Sequence, residues 1–573
     1  MKSKVGFDPA FIFLLIVSAV LIFTHLGLAS LWEDEAETAL VAQTIPVCGI
    51  PKITDGTNYF YQEHGKQVGY GDIWAWTPWL AFYVVATSTQ LLGTSQWVLR
   101  FPFALAGFLT IIFTFRSSIK LFGRQTALLS TLLLISSVPF LLYVRQCRYY
   151  ALVILGTLWA MDSLVHLKRE QKWFNFSLFC ALFIVFHANY ISWFSLLGSI
   201  SVFAFFPVMT RFRKEILTTL SLAVLVNLPW FLLFKPLHEK MRDFDVGVLI
   251  ETIIFYVESM NHYVIPFALL LFIPLVLRVL PKKQNEAVLS RDQITWIYFL
   301  IILMIATIFF SLLGPAPVFR YLVGIIPISI LLFSVLLMKL WQRSKMTASL
   351  IILVFIFSNF FHIFFYSSAA HIFPFSSRHL KGKLTLPLIS YIQELIHPPH
   401  GSVKKIADYL NLHASSKDLV IATYGDLPLK FYTGLRVIGG LALEALEEAK
   451  NADWVITRKV LISDEDARVM VYLIDNLDWE RYEKINLGQT DFPWDNIPEP
   501  SAHQFKSLDF NPEWQIQIYR KLKPEEASRA PDPPKMFYFT PMQKAVIGTY
   551  ELKRELTHYL LWLKEQTFHP GKA

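Results

Sequence analysis

Three consecutive acids, Glu33, Asp34 and Glu35, stand a few residues beyond an apolar N-terminal run, in the stretch LWEDEAETAL that begins at Leu31. Carboxylates can take the proton of an attacking hydroxyl, hold a sugar hydroxyl or ligate a metal. As neighbours, Asp34 and Glu35 point to different faces of any helix or strand, so they need not share one task. One can serve as base while the other binds a metal, a sugar hydroxyl or a backbone amide. The plainer alternative is an acidic first turn on a helix over Ala36–Thr44, favoured by the helix dipole. A second polar group, Glu63-His64, follows in a run rich in Tyr and Gly. Glu63, together with His262 ahead of a later apolar run, offers candidate metal ligands. The spacing supplies no further ligand, which leaves open whether a divalent ion takes part. Four arginines, Arg100, Arg145, Arg148 and Arg320, sit at the ends of apolar segments. A guanidinium fork there suits a phosphate, although any single arginine can equally snorkel to lipid headgroups.

The elements that must carry these groups are greasy. Of 573 residues, 54% are hydrophobic and only 17% charged, against about a quarter charged in soluble proteins. Mean hydropathy is +0.44. The chain is therefore expected to be an integral membrane protein. Its net charge of +8 lies in short loops between apolar runs and does not mark a nucleic-acid partner. Cys48, Cys147 and Cys180 form no disulfide framework and no metal-binding spacing. Apolar runs fall at 11–29, 77–93, 101–118, 125–144, 149–167, 173–188, 190–208, 215–234, 262–280, 293–313, 319–341 and 347–367. If all crossed the bilayer, Arg116, Lys120 and Arg124 would lie outside, against the positive-inside rule. Laying the short, polar-flecked 77–93 run in the outer interface repairs every later basic cluster. The expectation is about eleven spans, with the N-terminus cytoplasmic and the first loop, about 30–100, outside.

Beyond the apolar half the composition changes. Residues 371–400 read as a linker ending in Pro398-Pro399-His400-Gly401, and 401–522 as a soluble α/β domain on the outer face. An amphipathic helix is predicted over Val403–His413, with strands at Asp418–Thr423, Asp453–Thr457 and Trp514–Tyr519. Residues 523–573 read as a Pro- and Ala-rich linker followed by an amphipathic helix. Residues 1–370 are then the catalytic membrane domain.

Taken in order, several motifs resemble the GT-C superfamily of polyprenyl-phosphate-sugar glycosyltransferases. The likeness is to bacterial relatives of protein O-mannosyltransferases and of lipid A aminoarabinose transferases. Trp32-Glu33-Asp34-Glu35-Ala36 resembles the family's Asp-Glu motif in the first outer loop, and Tyr61-Gln62-Glu63 its aromatic-x-Glu segment. The family's Lys-Pro after that Glu is replaced by His64-Gly65, with Lys66 the available lysine. Trp76–Leu80 is similar to its interfacial Pro-Leu-aromatic segment, and Leu99-Arg100-Phe101-Pro102 to its Arg-Leu-Pro entry. Arg145-Gln-Cys-Arg148-Tyr149-Tyr150-Ala151-Leu152 and Phe319-Arg320-Tyr321-Leu322 match two further elements.

The resemblance implies a GT-C fold and an inverting glycosyltransferase in a bacterial plasma (inner) membrane. The donor would be a polyprenyl-phosphate-linked hexose or pentose, and the acceptor a protein, lipid A or another envelope glycan. It implies Asp34 as base, with Glu35 catalytic or positioning. Glu63, His64, Arg100, Arg145, Arg148, Tyr149, Arg320 and Tyr321 would contact substrate. A flippase for lipid-linked glycans or a non-catalytic membrane scaffold are the rivals. A flippase places charges in mid-span and carries inverted repeats; a scaffold gives the clustered charges no purpose.

Overall fold

Without water to bond its amides, an apolar segment satisfies its backbone by coiling on itself. Each predicted apolar run accordingly contains a helix in the computed structural model. The structure describes residues 8–62, 68–167, 174–234, 246–282, 288–363, 384–397, 401–458, 464–491, 496–499, 503 and 515–523. The chain divides into two units, each assembled from separated stretches. One comprises Met1–Leu28, Ala75–Pro398 and Ile497–Phe505; the other comprises Ala29–Trp74, Pro399–Asn496 and Lys506–Ala573. Of the expected linker 371–400, residues 384–397 are described and contain a helix, Pro387–Ile396; of the tail 523–573 only Lys523 is described.

Among the described residues of the apolar unit, five helices are long and apolar enough to cross a membrane: Gln96–Phe122, Tyr150–Leu167, Pro207–Phe234, Arg291–Ser311 and Phe319–Arg343. Two further pairs bend sharply, Arg124–Ile135 with Val138–Val144 by 67° and Val246–Tyr263 with Phe267–Val279 by 65°. Pro139 and Pro266 stand at these breaks, where a missing N–H and the ring stop the helix from running on. Shorter apolar helices include α1 (Pro9–Phe23) and, after α2 (Glu33–Cys48) of the other unit, α3 (Leu80–Leu92). At 13 residues, α3 spans about 20 Å, against about 30 Å of hydrocarbon. Its preceding Trp79 packs edge-on against Trp230 and Phe234, at 4.8 and 5.1 Å. The next helix, α4 (Gln96–Phe122), is capped by the Ser95 hydroxyl and ends at Gly123, whose φ is 88°. Small residues let these helices close up. A Cβ on Gly156 would meet Val185 Cγ2 at 2.5 Å, and one on Gly107 would meet Val144 Cβ at 2.4 Å.

The second unit is built on a five-stranded sheet: β1 (Leu419–Ala422), β2 (Arg436–Gly439), β3 (Trp454–Thr457), β4 (Tyr482–Thr490) and β5 (Gln515–Lys521). Their order is β2-β1-β3-β5-β4. β1 pairs parallel with both β2 and β3, and β5 runs antiparallel to β3 and β4. Alternation along the strands feeds two cores. Val420, Ala422, Trp454 and Ile456 pack with Ile406 and Leu410 of the helix Ser402–His413 and with Leu429 of the helix Asp426–Thr433. Ile421, Ile438 and Val455 face the other way, onto Val469 and Leu473 of Asp464–Asn476. The loop Ala29–Trp74 belongs to this unit, and its α2 packs on the helix Asp426–Thr433.

Candidate active site

The acidic turn opens α2, whose N-cap Trp32 makes no side-chain capping bond, so carboxylates in the first turn answer the exposed amides and the dipole. Glu33, Asp34, Glu35 and Glu37 are all buried. At 100° of rotation per residue Glu33, Asp34 and Glu35 separate, and each of these three meets a different partner. The Leu427 amide points at Glu33 Oε1, 3.4 Å away. Asn496 Nδ2 donates to Glu35 Oε2 at 3.1 Å and to the Ser30 carbonyl at 3.4 Å. Asp34 and Glu37, three apart on one face, share the Gln62 amide, which donates to Asp34 Oδ1 at 3.3 Å and Glu37 Oε2 at 2.7 Å. The Thr38 hydroxyl donates to the Asp34 carbonyl. Burial, and then the neighbouring Asp426 carboxylate, hold the Glu33 carboxyl well above its usual range. Tyr424, after β1, is pushed up first by burial and then by Glu33, Asp466 and Asp34.

The apolar unit carries the arginines. Arg145 Nη1 donates to the carbonyls of Leu21, Ile22 and Thr24, at 3.2, 2.6 and 2.9 Å. Arg100 Nη1 donates to the Leu26 carbonyl at 3.0 Å. Both cations thus serve the carbonyls that α1 leaves at its C-terminal end and just beyond it. Arg148 lies over the Tyr149 ring, 5.7 Å from its centroid. Tyr149, Tyr150, Tyr143 and Phe319 continue as a chain of ring contacts at 4.7, 4.9 and 5.9 Å. Glu499 closes this chain, accepting from Tyr143 Oη at 2.6 Å and from the Phe319 amide at 2.5 Å. Phe319 opens the 3-10 helix Phe319–Ile325, which carries Arg320 and Tyr321. That helix packs on Tyr150–Leu167, where a Cβ on Gly324 would stand 3.3 Å from Thr157 Oγ1. Arg148 and Tyr149 stand in the turn that leads into Tyr150–Leu167, the helix on which the segment carrying Arg320 and Tyr321 packs.

Glu63 and His64 lie outside the described residues. His262 ends the helix Val246–Tyr263, whose Tyr263 ring meets Phe319 at 5.8 Å. Among the described residues no three His, Cys, Asp or Glu side chains gather as a metal site would require. Gln62, Glu37 and Glu499 were missed by the sequence reading. Gln62 and Glu37 were within reach of it: Glu37 is three residues from Asp34, the spacing of one helix face. Glu499 had no such signal.

Comparison with known proteins adds to this geometry. Residues 77–235 match the model of the dolichyl-phosphate-mannose-protein mannosyltransferase family. That segment contains Arg100, Arg145, Arg148 and Tyr149 and stops short of Arg320. No curated protein matches the sequence. Among solved structures, ArnT from Cupriavidus metallidurans bound to undecaprenyl phosphate superposes with a TM-score of 0.52 at 12% identity. The match covers 89% of this chain and 97% of that one. The apo state of the same protein gives 0.51 at 12% identity, covering 91% and 98%. The chain thus has a polytopic helical membrane fold, the GT-C fold, and over residues 77–235 it is similar to the dolichyl-phosphate-mannose-protein mannosyltransferase family.

Proposed function

We propose that this protein is an inverting glycosyltransferase that moves a sugar from a polyprenyl-phosphate donor to an acceptor hydroxyl at the outer face of a bacterial plasma membrane. The observation that carries the reading is the buried Asp34 carboxylate, held by Gln62 beside Glu37 in a chain of GT-C fold. A fixed carboxylate costs little reorganisation when it takes a proton. In the proposed step the acceptor O–H gives its proton to Asp34 while its oxygen bonds to the anomeric carbon. The bond from that carbon to the phosphate oxygen breaks, and polyprenyl phosphate leaves. Arg148 and Arg320 stabilise the charge gathering on the phosphate, with Tyr149 and Tyr321 beside them. Arg100 and Arg145, expected in the same role, already hold carbonyls around the end of α1 through their Nη1 groups. The ArnT structure was obtained bound to undecaprenyl phosphate, which supports a lipid phosphate as the donor's carrier. Glu35, Glu63 and His64 are assigned to positioning the sugar or acceptor.

The test is transfer in vitro from a panel of polyprenyl-phosphate hexoses and pentoses to envelope glycans, lipid A and protein, read by mass. Asp34→Asn is expected to lower turnover by about 10²–10⁴-fold, the usual contribution of a general base. It should leave elution of the detergent-solubilised protein unchanged. Turnover within tenfold of wild type would remove Asp34 from the mechanism.

A further inference from the structure

The parallel strands β2, β1 and β3 make a small doubly wound core. In such sheets a crevice opens outside the carboxyl ends of the strands, at the point where the strand order reverses, and it ordinarily receives a ligand. Here the reversal falls between β1 and β3, whose carboxyl ends lead into Thr423-Tyr424-Gly425-Asp426 and Arg458. The chain's own first loop packs beside this crevice, along the helix Asp426–Thr433 and the start of β2. Leu31 donates its amide to Tyr432 Oη at 2.8 Å. Glu33 sits at the N-terminus of the helix Asp426–Thr433, against the Leu427 amide and the Asp426 carboxylate. Asn58 inserts as a mimic of a strand at the β2 edge, donating to the Leu435 carbonyl and accepting from the Val437 amide, both at 3.0 Å. Lys430 donates to the Tyr59 carbonyl at 2.8 Å and to Asp426 and Glu444 at 2.9 Å each.

Each tie is built for a close fit. Lys430 is fully buried with both its carboxylates. Gly440 lets Asp426 in: a Cβ there would fall 1.8 Å from Asp426 Oδ1. Ties reach the loop on both sides of Asp34, at Leu31 and Glu33 before it and at Asn58 and Tyr59 after it, next to the Gln62 that bonds Asp34 itself. We infer that the C-terminal sheet is the positioning element of the reaction: through Glu33, Asn58 and Lys430 it holds the first turn of α2 so that Asp34 faces Gln62 and Glu37. This rests on the reading of Asp34 as base. Burial, and then the Asp426 carboxylate, raise the Glu33 carboxyl and so favour its protonated form. Its Oε1 accepts from the Leu427 amide, and its other oxygen is buried near Asp426. It touches no reacting atom; it is a positioning residue.

Glutamine keeps that acceptor in an uncharged side chain of the same length, whereas alanine loses it. The test uses the full chain in detergent micelles. Glu33→Ala should speed deuterium exchange of the first turns of α2 by about ten- to a hundredfold, as expected when a buried hydrogen-bonded partner is lost. Glu33→Gln should restore exchange to near wild type. In the transfer assay Glu33→Ala should lower kcat with little change in donor KM, and Glu33→Gln should recover it. Tyr432→Phe, which removes only the hydroxyl that accepts from Leu31, should give a smaller change in the same direction. Unchanged exchange in Glu33→Ala overturns the inference whatever the transfer assay reads. So does a Glu33→Gln variant as impaired as Glu33→Ala, which would make Glu33 an ionised group. Retained transfer in Asp34→Asn would instead sink the assignment of the base and leave the exchange result standing.

Discussion

Replacing Glu33 by glutamine should remove a pH dependence that the fold builds into the second unit. The Glu33 carboxyl is raised well above its ordinary value of 4.5, first by burial and then by Asp426. An acid whose folded pKa exceeds its unfolded pKa binds more protons folded than unfolded between the two values. Its contribution to stability is complete below about pH 4.5 and is lost as pH rises through the folded value. One linked proton changes the opening equilibrium by about tenfold per pH unit within that window. Glu444, also raised first by burial, contributes in the same sense in both proteins, so the comparison isolates Glu33. Burial lowers Lys430, but Asp426 and Glu444 outweigh it. Its net rise places its own loss of stability above its unfolded value of 10.5, outside the range. The assay is deuterium exchange of the amides of β1 and the helix Asp426–Thr433 from about pH 5.5 to 8, divided by intrinsic exchange rates. Wild-type protection should fall with rising pH, while Glu33→Gln stays flatter and becomes the better protected protein at the alkaline end. Parallel curves, or a glutamine variant less protected throughout, would refute a neutral Glu33.

Three further outcomes follow from the apolar unit. Gly156→Ala places a Cβ 2.5 Å from Val185 Cγ2 and should destabilise by about 1–3 kcal/mol, the usual cost of overpacking. Val185→Ala, which deletes that methyl, should recover part of the loss in the double variant, read as the thermal aggregation midpoint in detergent. Arg145→Leu should lower the same midpoint without altering donor KM, since its guanidinium holds α1 carbonyls. Arg320→Leu should lower kcat by about 10²-fold or more, as expected when a charge-stabilising group is lost; the reverse pattern would exchange the two roles. Glu499→Gln loses the charge that Tyr143 Oη and the Phe319 amide both address. It should lower kcat in the same direction as Arg320→Leu, and unchanged turnover would remove Glu499 from positioning the Arg320 helix.

Much of the membrane half was legible from single residues. Each apolar run contains a helix because its burial preference and backbone satisfaction are local properties of the segment. The bends were not read, although Pro139 and Pro266 mark them; within a run that is apolar throughout, a proline does not disclose how far the chain turns. The strands β1 and β3 and the helix Ser402–His413 fall close to their predicted places, because alternation and amphipathic spacing are also local.

The candidate site divides along the same line. Residue type alone marked Asp34 and the arginines, since charges are rare and costly in so apolar a chain. Only the tertiary structure decided what each of them meets. Glu33 reads in sequence as an acid at a helix end; in the fold it meets Leu427, 394 positions away. Arg100 and Arg145 read as phosphate ligands and are found holding carbonyls of the α1 end. Gln62 reads as filler in a motif and is found donating to both Asp34 and Glu37. A side chain's chemistry belongs to the residue, but its partner is set by how distant segments pack, and no periodicity along the chain records that choice.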